Sequence, residues 1–176
     1  HAIGTHTSSH NSEVIHAGLY YPKNSLKAAL CVAGRRALYQ YLEDRHLPHK
    51  KLGKLIVASS PAQLNDLAAI AHHATKNGVE NLLHLTPEDI RQTEPALDVL
   101  GALLSPSTGI IDSHQYMLAL QGDLEAHAGT IAFNTQVISG TANPDGVTLN
   151  VASTLTDDDP MTLSARHIIN SAGLWA

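Results

Sequence analysis

From Ser25 to His46 the apolar residues Leu26, Ala29, Leu30, Ala33, Ala37, Tyr41 and Leu42 recur at steps of three and four. That is the period of a helix with one buried face, and Pro48 helps to end it. Residues 1–24 lack any such period and read as a loop. Lys54-Leu55-Ile56-Val57-Ala58 is a short apolar run after Gly53, which predicts a strand. A second helix is framed by its punctuation: Ser60 to cap it, Pro61 in its first turn, Asn77-Gly78 to end it. Leu64, Leu67, Ile70, Ala71 and Ala74 form its stripe. A third starts at Thr86-Pro87-Glu88-Asp89, with Leu85 and Ile90 placed as a hydrophobic staple, and ends near Glu94-Pro95.

The rest of the chain turns β-like after one more helix. Gly101–Leu104 predicts a strand. Asp112 or Ser113 can cap a helix that runs to about Ala128. Residues 130–133, 136–139, 147–152 and 161–169 predict strands, with Asn143-Pro144-Asp145-Gly146 as the turn between the second and third. Helices and strands are mixed along the chain, so the expected class is α/β or mixed α+β.

Composition narrows the function classes. Of 176 residues, 43% are hydrophobic and 15% charged, enough apolar material for a core and too little charge for a disordered chain. The net charge of −5 gives no electrostatic reason to expect a nucleic-acid partner. No stretch approaches the length of an apolar membrane span. Cys31 is the single cysteine, which excludes an internal disulfide and fits a reducing compartment. The expected location is cytoplasmic, either free or peripheral to a membrane. The chain opens at His1 and stops at Ala176 without a terminator, and both ends read as truncations.

Twelve histidines invite a metal, yet no H-E-x-x-H and no His-plus-carboxylate cluster has ligand spacing, so no metal site is expected. No G-x-S-x-G organises hydrolase chemistry. Cys31, amid apolar residues on the first helix, reads as an inert core thiol. Two segments carry candidate binding chemistry. Gly4 to Ser12 is dense in small hydroxyl residues, whose backbone N–H groups can wrap a phosphate or polyol, although a plain surface loop has the same composition. His167-Ile168-Ile169-Asn170 running into Ser171-Ala172-Gly173 has the form of a strand end presenting a ligand site, or of an ordinary strand-to-loop junction. His16 lies between apolar and small residues, where an imidazole is either a satisfied core group or a general base.

Taken together, these residues resemble a known family. The block Ser8-Ser9-His10-Asn11-Ser12-Glu13-Val14-Ile15-His16-Ala17-Gly18-Leu19-Tyr20-Tyr21-Pro22 is similar to the signature of L-2-hydroxyglutarate dehydrogenases and oxidases. These belong to the D-amino-acid-oxidase-like class of FAD-dependent oxidoreductases. Ser25–Ala28, Gly53–Ala58, Glu94-Pro95, Thr108–Asp112 and Asn170–Ala176 continue the resemblance in order, over essentially the whole chain.

The resemblance implies a partial FAD-binding, Rossmann-like domain with an inserted β-sheet segment of a substrate domain. Residues 1–46 and 113–176 would form the first and residues 47–112 the second. Thr7, Ser8, Ser9, Asn11 and Ser12 would follow the pyrophosphate and ribityl chain. Val137 would meet the adenine through its backbone, and Ser171, Ala172 and Gly173 would approach the cofactor closely. His16 would lie near the flavin ring and is the candidate base. The implied substrate is a small 2-hydroxy acid, most simply L-2-hydroxyglutarate, with oxygen or a quinone as acceptor. The family's opening G-x-G-x-x-G turn and its C-terminal half have no counterpart here, so the chain alone is not expected to hold FAD firmly or to turn over. An amino-acid or amine oxidase on the same scaffold, and a non-catalytic folded piece, are the alternatives.

Overall fold

A computed structural model describes residues 2–176. The chain is a mixture of helices and short antiparallel strands, as the alternating periods require. It divides into two compact units, one of Asn11–Ala119 and the other of residues up to His10 together with Leu120–Ala176.

In the first unit, strand β1 (Val14–Ile15) is followed by helix α1 (Leu26–Asp44), β2 (His49–Lys50), β3 (Leu55–Ala58), α2 (Pro61–Lys76), β4 (Leu83–Leu85), α3 (Pro87–Thr93), β5 (Gly101–Leu104) and β6 (Gly109–Ile111). Helix α4 (Ser113–Ala126) begins here and runs on into the second unit. The strands make two sheets, ordered β1-β6-β2 and β3-β5-β4. β1, β2, β4 and β6 have two or three residues each, too short for alternation to register in the sequence.

Helix α1 starts where Ser25 accepts a hydrogen bond from the Ala28 N–H at 3.1 Å. Its buried stripe, however, is Ala28, Val32, Arg35, Tyr39 and Leu42, which shares only Leu42 with the predicted one. Leu26 is 78% exposed and Leu30 65%. The steps of four, three, four and three are helical, but an arginine occupies the middle of the stripe, so hydropathy points to the wrong face. Helices α2 and α3 match their punctuation. Ser60 with Gln63, and Thr86 with Asp89, form reciprocal capping boxes, and Ile90 is fully buried where the staple requires it.

Three apolar clusters fill this unit. Ala17, Leu19, Val32, Ala74 and Val79 form one, Ile15, Tyr39 and Leu42 a second, and Ala58, Leu67 and Leu103 a third. Gly109 lies where β6 passes beneath Tyr39, and a Cβ there would overlap the tyrosine hydroxyl and the Lys50 carbonyl. Only glycine permits this close crossing.

In the second unit, β7 (Thr135–Asn143), β8 (Gly146–Ser153) and β9 (Met161–Ala165) form an antiparallel meander through the expected turn at Asn143–Gly146. Two expectations fail here. Residues 130–133 are not a strand: Phe133 and Asn134 form a turn, with Asn134 at φ 53°, and no described neighbour offers 130–133 a ladder. The last strand stops at Ala165 instead of 169. Ile168 and Ile169 are apolar and β-branched but unpaired, and Ile169 is 90% exposed.

Candidate functional site

The segment from Asn11 to Tyr21 is positioned by three elements of its own unit. β1 pairs with β6, Val14 opposite Ile110 and Ile15 opposite Gly109. Side chains alternate along the extended chain. Ile15, Ala17 and Leu19 point into the core at 3%, 2% and 3% exposure, which turns His16 outward. Of the two sequence alternatives the core group is therefore not what is found: His16 is an exposed side chain between buried neighbours. Its neighbours' backbones are gripped from α1. The Cys31 Sγ donates to the His16 carbonyl at 3.5 Å, and Arg35 Nη1 lies 3.5 Å from the Ala17 carbonyl. Helix α2 holds the far end, where Asn77 Nδ2 donates to the Tyr21 carbonyl at 2.7 Å and a His73 ring nitrogen meets the same oxygen at 2.6 Å. His16 shares a small depression with Gly18, Tyr20, Lys54 and Thr108, and Lys54 Nζ stands 4.9 Å from the centre of the Tyr20 ring.

The start of this segment is tied to α4. Asn11 Oδ1 accepts from the Glu13 N–H at 2.7 Å, closing a side-chain turn, and Asn11 Nδ2 donates to Ser113 Oγ at 3.2 Å. The Ser113 hydroxyl and N–H in turn donate to Glu13 Oε1 at 2.8 and 3.0 Å. Those two bonds, the backbone one first, hold the Glu13 carboxyl below its ordinary range. Asn11 thus shapes the loop with both ends of its amide. Ser12 beside it is exposed.

Thr7, Ser8 and Ser9 belong to the other unit, in a 3-10 turn over Thr7–His10 with all three side chains exposed. Ser9 donates to the His6 carbonyl through its N–H at 3.0 Å and its hydroxyl at 2.7 Å. Val137 and Ser171–Gly173 lie in this same unit. Val137 is on β7, an edge of its sheet, 56% exposed and next to an irregularity in the pairing. Ser171, Ala172 and Gly173 are exposed, with the Ala172 N–H donating to Asn170 Oδ1 at 3.0 Å. Gly173 has φ 61°, and a Cβ there would meet nothing of this chain, so its backbone angle is what asks for glycine.

The structure therefore groups Thr7, Ser8, Ser9, Val137 and Ser171–Gly173 in one unit and Asn11, Ser12 and His16 in the other. Short side chains and exposed surface suit a phosphate-bearing cofactor. The sequence reading passed over Glu13, Ser113, Arg35 and Ser107. Ser113 stood out only as a helix cap and Glu13 only within the signature block, and Arg35 carries no signal beyond a charge at helical spacing. Cys31 is partly buried, and burial raises its thiol pKa against the opposing charges of Arg35 and Lys27, which keeps it a poor nucleophile. Among the described residues no cluster of three or more His, Cys, Asp or Glu could hold a metal, and no helix is long and apolar enough to cross a membrane.

A family model described as FAD dependent oxidoreductase matches residues 1–176. The chain belongs to this family. It is 39% identical over 199 aligned positions to the mitochondrial L-2-hydroxyglutarate dehydrogenase of Arabidopsis thaliana, covering 99% of the chain and 41% of that protein. The namesake from Nematostella vectensis is 35% identical, again over 99% of the chain and 40% of its own length. The L-2-hydroxyglutarate dehydrogenase of Escherichia coli is 33% identical over 82% of the chain and 34% of its own. The chain thus spans about two fifths of the length of these plant and animal relatives.

Among solved structures, the FAD-dependent oxidoreductase chain is similar in fold to L-alpha-glycerophosphate oxidase from Mycoplasma pneumoniae. The TM-score is 0.73 at 22% identity, over 85% of this chain and 40% of that one. Glycine oxidase from Geobacillus kaustophilus gives 0.73 at 19% identity, over 94% and 45%.

Proposed function

We propose that this FAD-dependent oxidoreductase chain is part of an enzyme that oxidises a 2-hydroxy acid, L-2-hydroxyglutarate, to its 2-oxo acid. The observation that carries the reading is the match to three relatives named L-2-hydroxyglutarate dehydrogenase, from a plant, an animal and a bacterium, at 33–39% identity. FAD, when bound, supplies the two-electron acceptor for the hydride leaving the substrate α-carbon.

Residues 1–46 and 113–176 serve the cofactor in this reading, and 47–112 the substrate. Thr7, Ser8, Ser9 and Ser12 follow the pyrophosphate and ribityl groups with small, exposed side chains. Asn11 keeps that loop in shape. Val137 contributes its edge-strand backbone at the adenine, and Ser171, Ala172 and Gly173 admit the cofactor because their side chains are small or absent. His16 takes the hydroxyl proton at a ring nitrogen. Its outward position, fixed by the inward Ile15 and Ala17, makes that nitrogen reachable from solvent or substrate. The lone thiol of Cys31 suits a reducing interior, in the cytoplasm or, as the plant and animal relatives' names have it, the mitochondrion. Oxygen or a quinone serves as final acceptor.

His16→Ala in the full-length protein is expected to lower turnover of L-2-hydroxyglutarate about 10²–10⁴-fold while flavin stays bound, the range for loss of a general base. Unchanged turnover removes His16 from the chemistry. Product assays against glycine-type amines separate the hydroxy-acid reading from an amine oxidase. A full-length protein that carries flavin and oxidises the amine alone overturns the substrate, and a colourless, folded one overturns the enzyme reading altogether.

A further inference from the structure

Arg35 is 6% exposed, in the middle of the buried stripe of α1. Its Nη1 donates to Ser107 Oγ at 2.6 Å and lies 3.5 Å from the Ala17 carbonyl. No carboxylate among the described residues pairs with it. The neighbouring cations are matched instead: Arg36 with Glu80, and Lys51 with Glu43 at 3.4 Å. Taking a cation out of water without a counter-charge is costly, so an unmatched buried guanidinium calls for a partner. A guanidinium carries five N–H donors, and here only Nη1 meets an acceptor among the described residues.

The guanidinium borders a cavity of about 380 Å³ that Arg36, Tyr39, Gln40, Lys51 and Ser107 also line. Three cations and two carboxylates surround it, so one positive charge is left over, and it belongs to Arg35. Ser107 already accepts from Arg35 through Oγ, which leaves the hydroxyl hydrogen free to donate. A fixed fork of donors beside a hydroxyl donor is the arrangement that binds a planar or tetrahedral oxyanion through two parallel hydrogen bonds.

We propose that the cavity between α1 and the β5–β6 connection is a binding site for a small oxyanion, carboxylate or phosphate, held by Arg35 and Ser107. Neither Arg35 nor Ser107 is among the individual residues given a contact with the cofactor, and the site does not depend on flavin chemistry.

Calorimetric titration of the full chain with succinate and, separately, with inorganic phosphate tests it. Saturable binding of one of them is expected, and the arm that saturates identifies the source. Arg35→Gln, checked for folding by circular dichroism, should abolish it. Ser107→Ala, which keeps the guanidinium, should weaken it at least about tenfold, the effect of one hydrogen bond to a charged group. Arg91→Gln, at an exposed ion pair on α3, should leave it unchanged. Absence of saturable binding in both arms, or binding that survives Arg35→Gln and Ser107→Ala, overturns the proposal.

Discussion

Glu13 shows how one exposed side chain sets the shape of a loop. Its carboxylate gathers the N–H and hydroxyl of Ser113, while its own N–H is held by Asn11. Both bonds to Ser113 favour the ionised form, so the folded-state pKa lies below the ordinary value of 4.5. A depressed carboxylate contributes stability that is present above its unfolded pKa and lost as pH falls through the folded one. The stability of the chain should therefore fall on acidification below about pH 4.5, and Glu13→Gln should flatten that acid limb. Urea unfolding across a pH series reads this directly, and an unaltered limb in the variant would show that Glu13 contributes nothing to it. Asp89 is depressed in the same sense by the Thr86 hydroxyl and N–H, so part of the limb will survive in Glu13→Gln.

At the scale of elements, the helices were legible because their ends carry specific chemistry. Ser60 with Gln63 and Thr86 with Asp89 announce helix starts in the sequence and form reciprocal caps in the structure. The face of α1 was not legible. Leu26 and Leu30 invite burial by hydropathy, yet the core takes the stripe that includes Arg35, whose donors reach Ser107 and the Ala17 carbonyl. The candidate site was legible as a set of small residues and one histidine, but the orientation of His16 needed the pairing of β1 with β6. That ladder is two residues long and leaves no periodic trace.

β5 is the centre of its sheet, and Leu103 on it is fully buried. Leu103→Ala should cost about 2–5 kcal/mol. Leu30→Gln, on the exposed side of α1, should stay within about 0.5 kcal/mol. Chemical denaturation of the two variants checks the assignment of faces, and the reverse order would restore the hydropathic stripe.

Over the whole molecule, burial is uneven. Among the described residues, the buried hydrophobic ones lie within Asn11–Ala119 except Val151. The meander β7-β8-β9 keeps Val137, Ile138, Met161 and Leu163 exposed. Opening free energy follows buried apolar contact. Hydrogen exchange should therefore find the slowest amides in α1, β5 and their neighbours, and distinctly faster ones through 135–165. Equal protection in the two units would contradict that reading. The missed strand at 130–133 has the same origin. Apolar residues can be strand-like in pattern, but a strand exists only where another backbone offers it hydrogen bonds, and pattern alone does not report the neighbour.

The crossing of Gly109 beneath Tyr39 has a further consequence. Ile15 lies opposite position 109, where the strand is pressed between Tyr39 and the Lys50 carbonyl, and this register sets the faces of β1. Sliding β1 by a single place would invert its two faces together, wetting Ile15 and Ala17 and interring the imidazole between them. A ladder of two residue pairs thus decides which way the histidine looks.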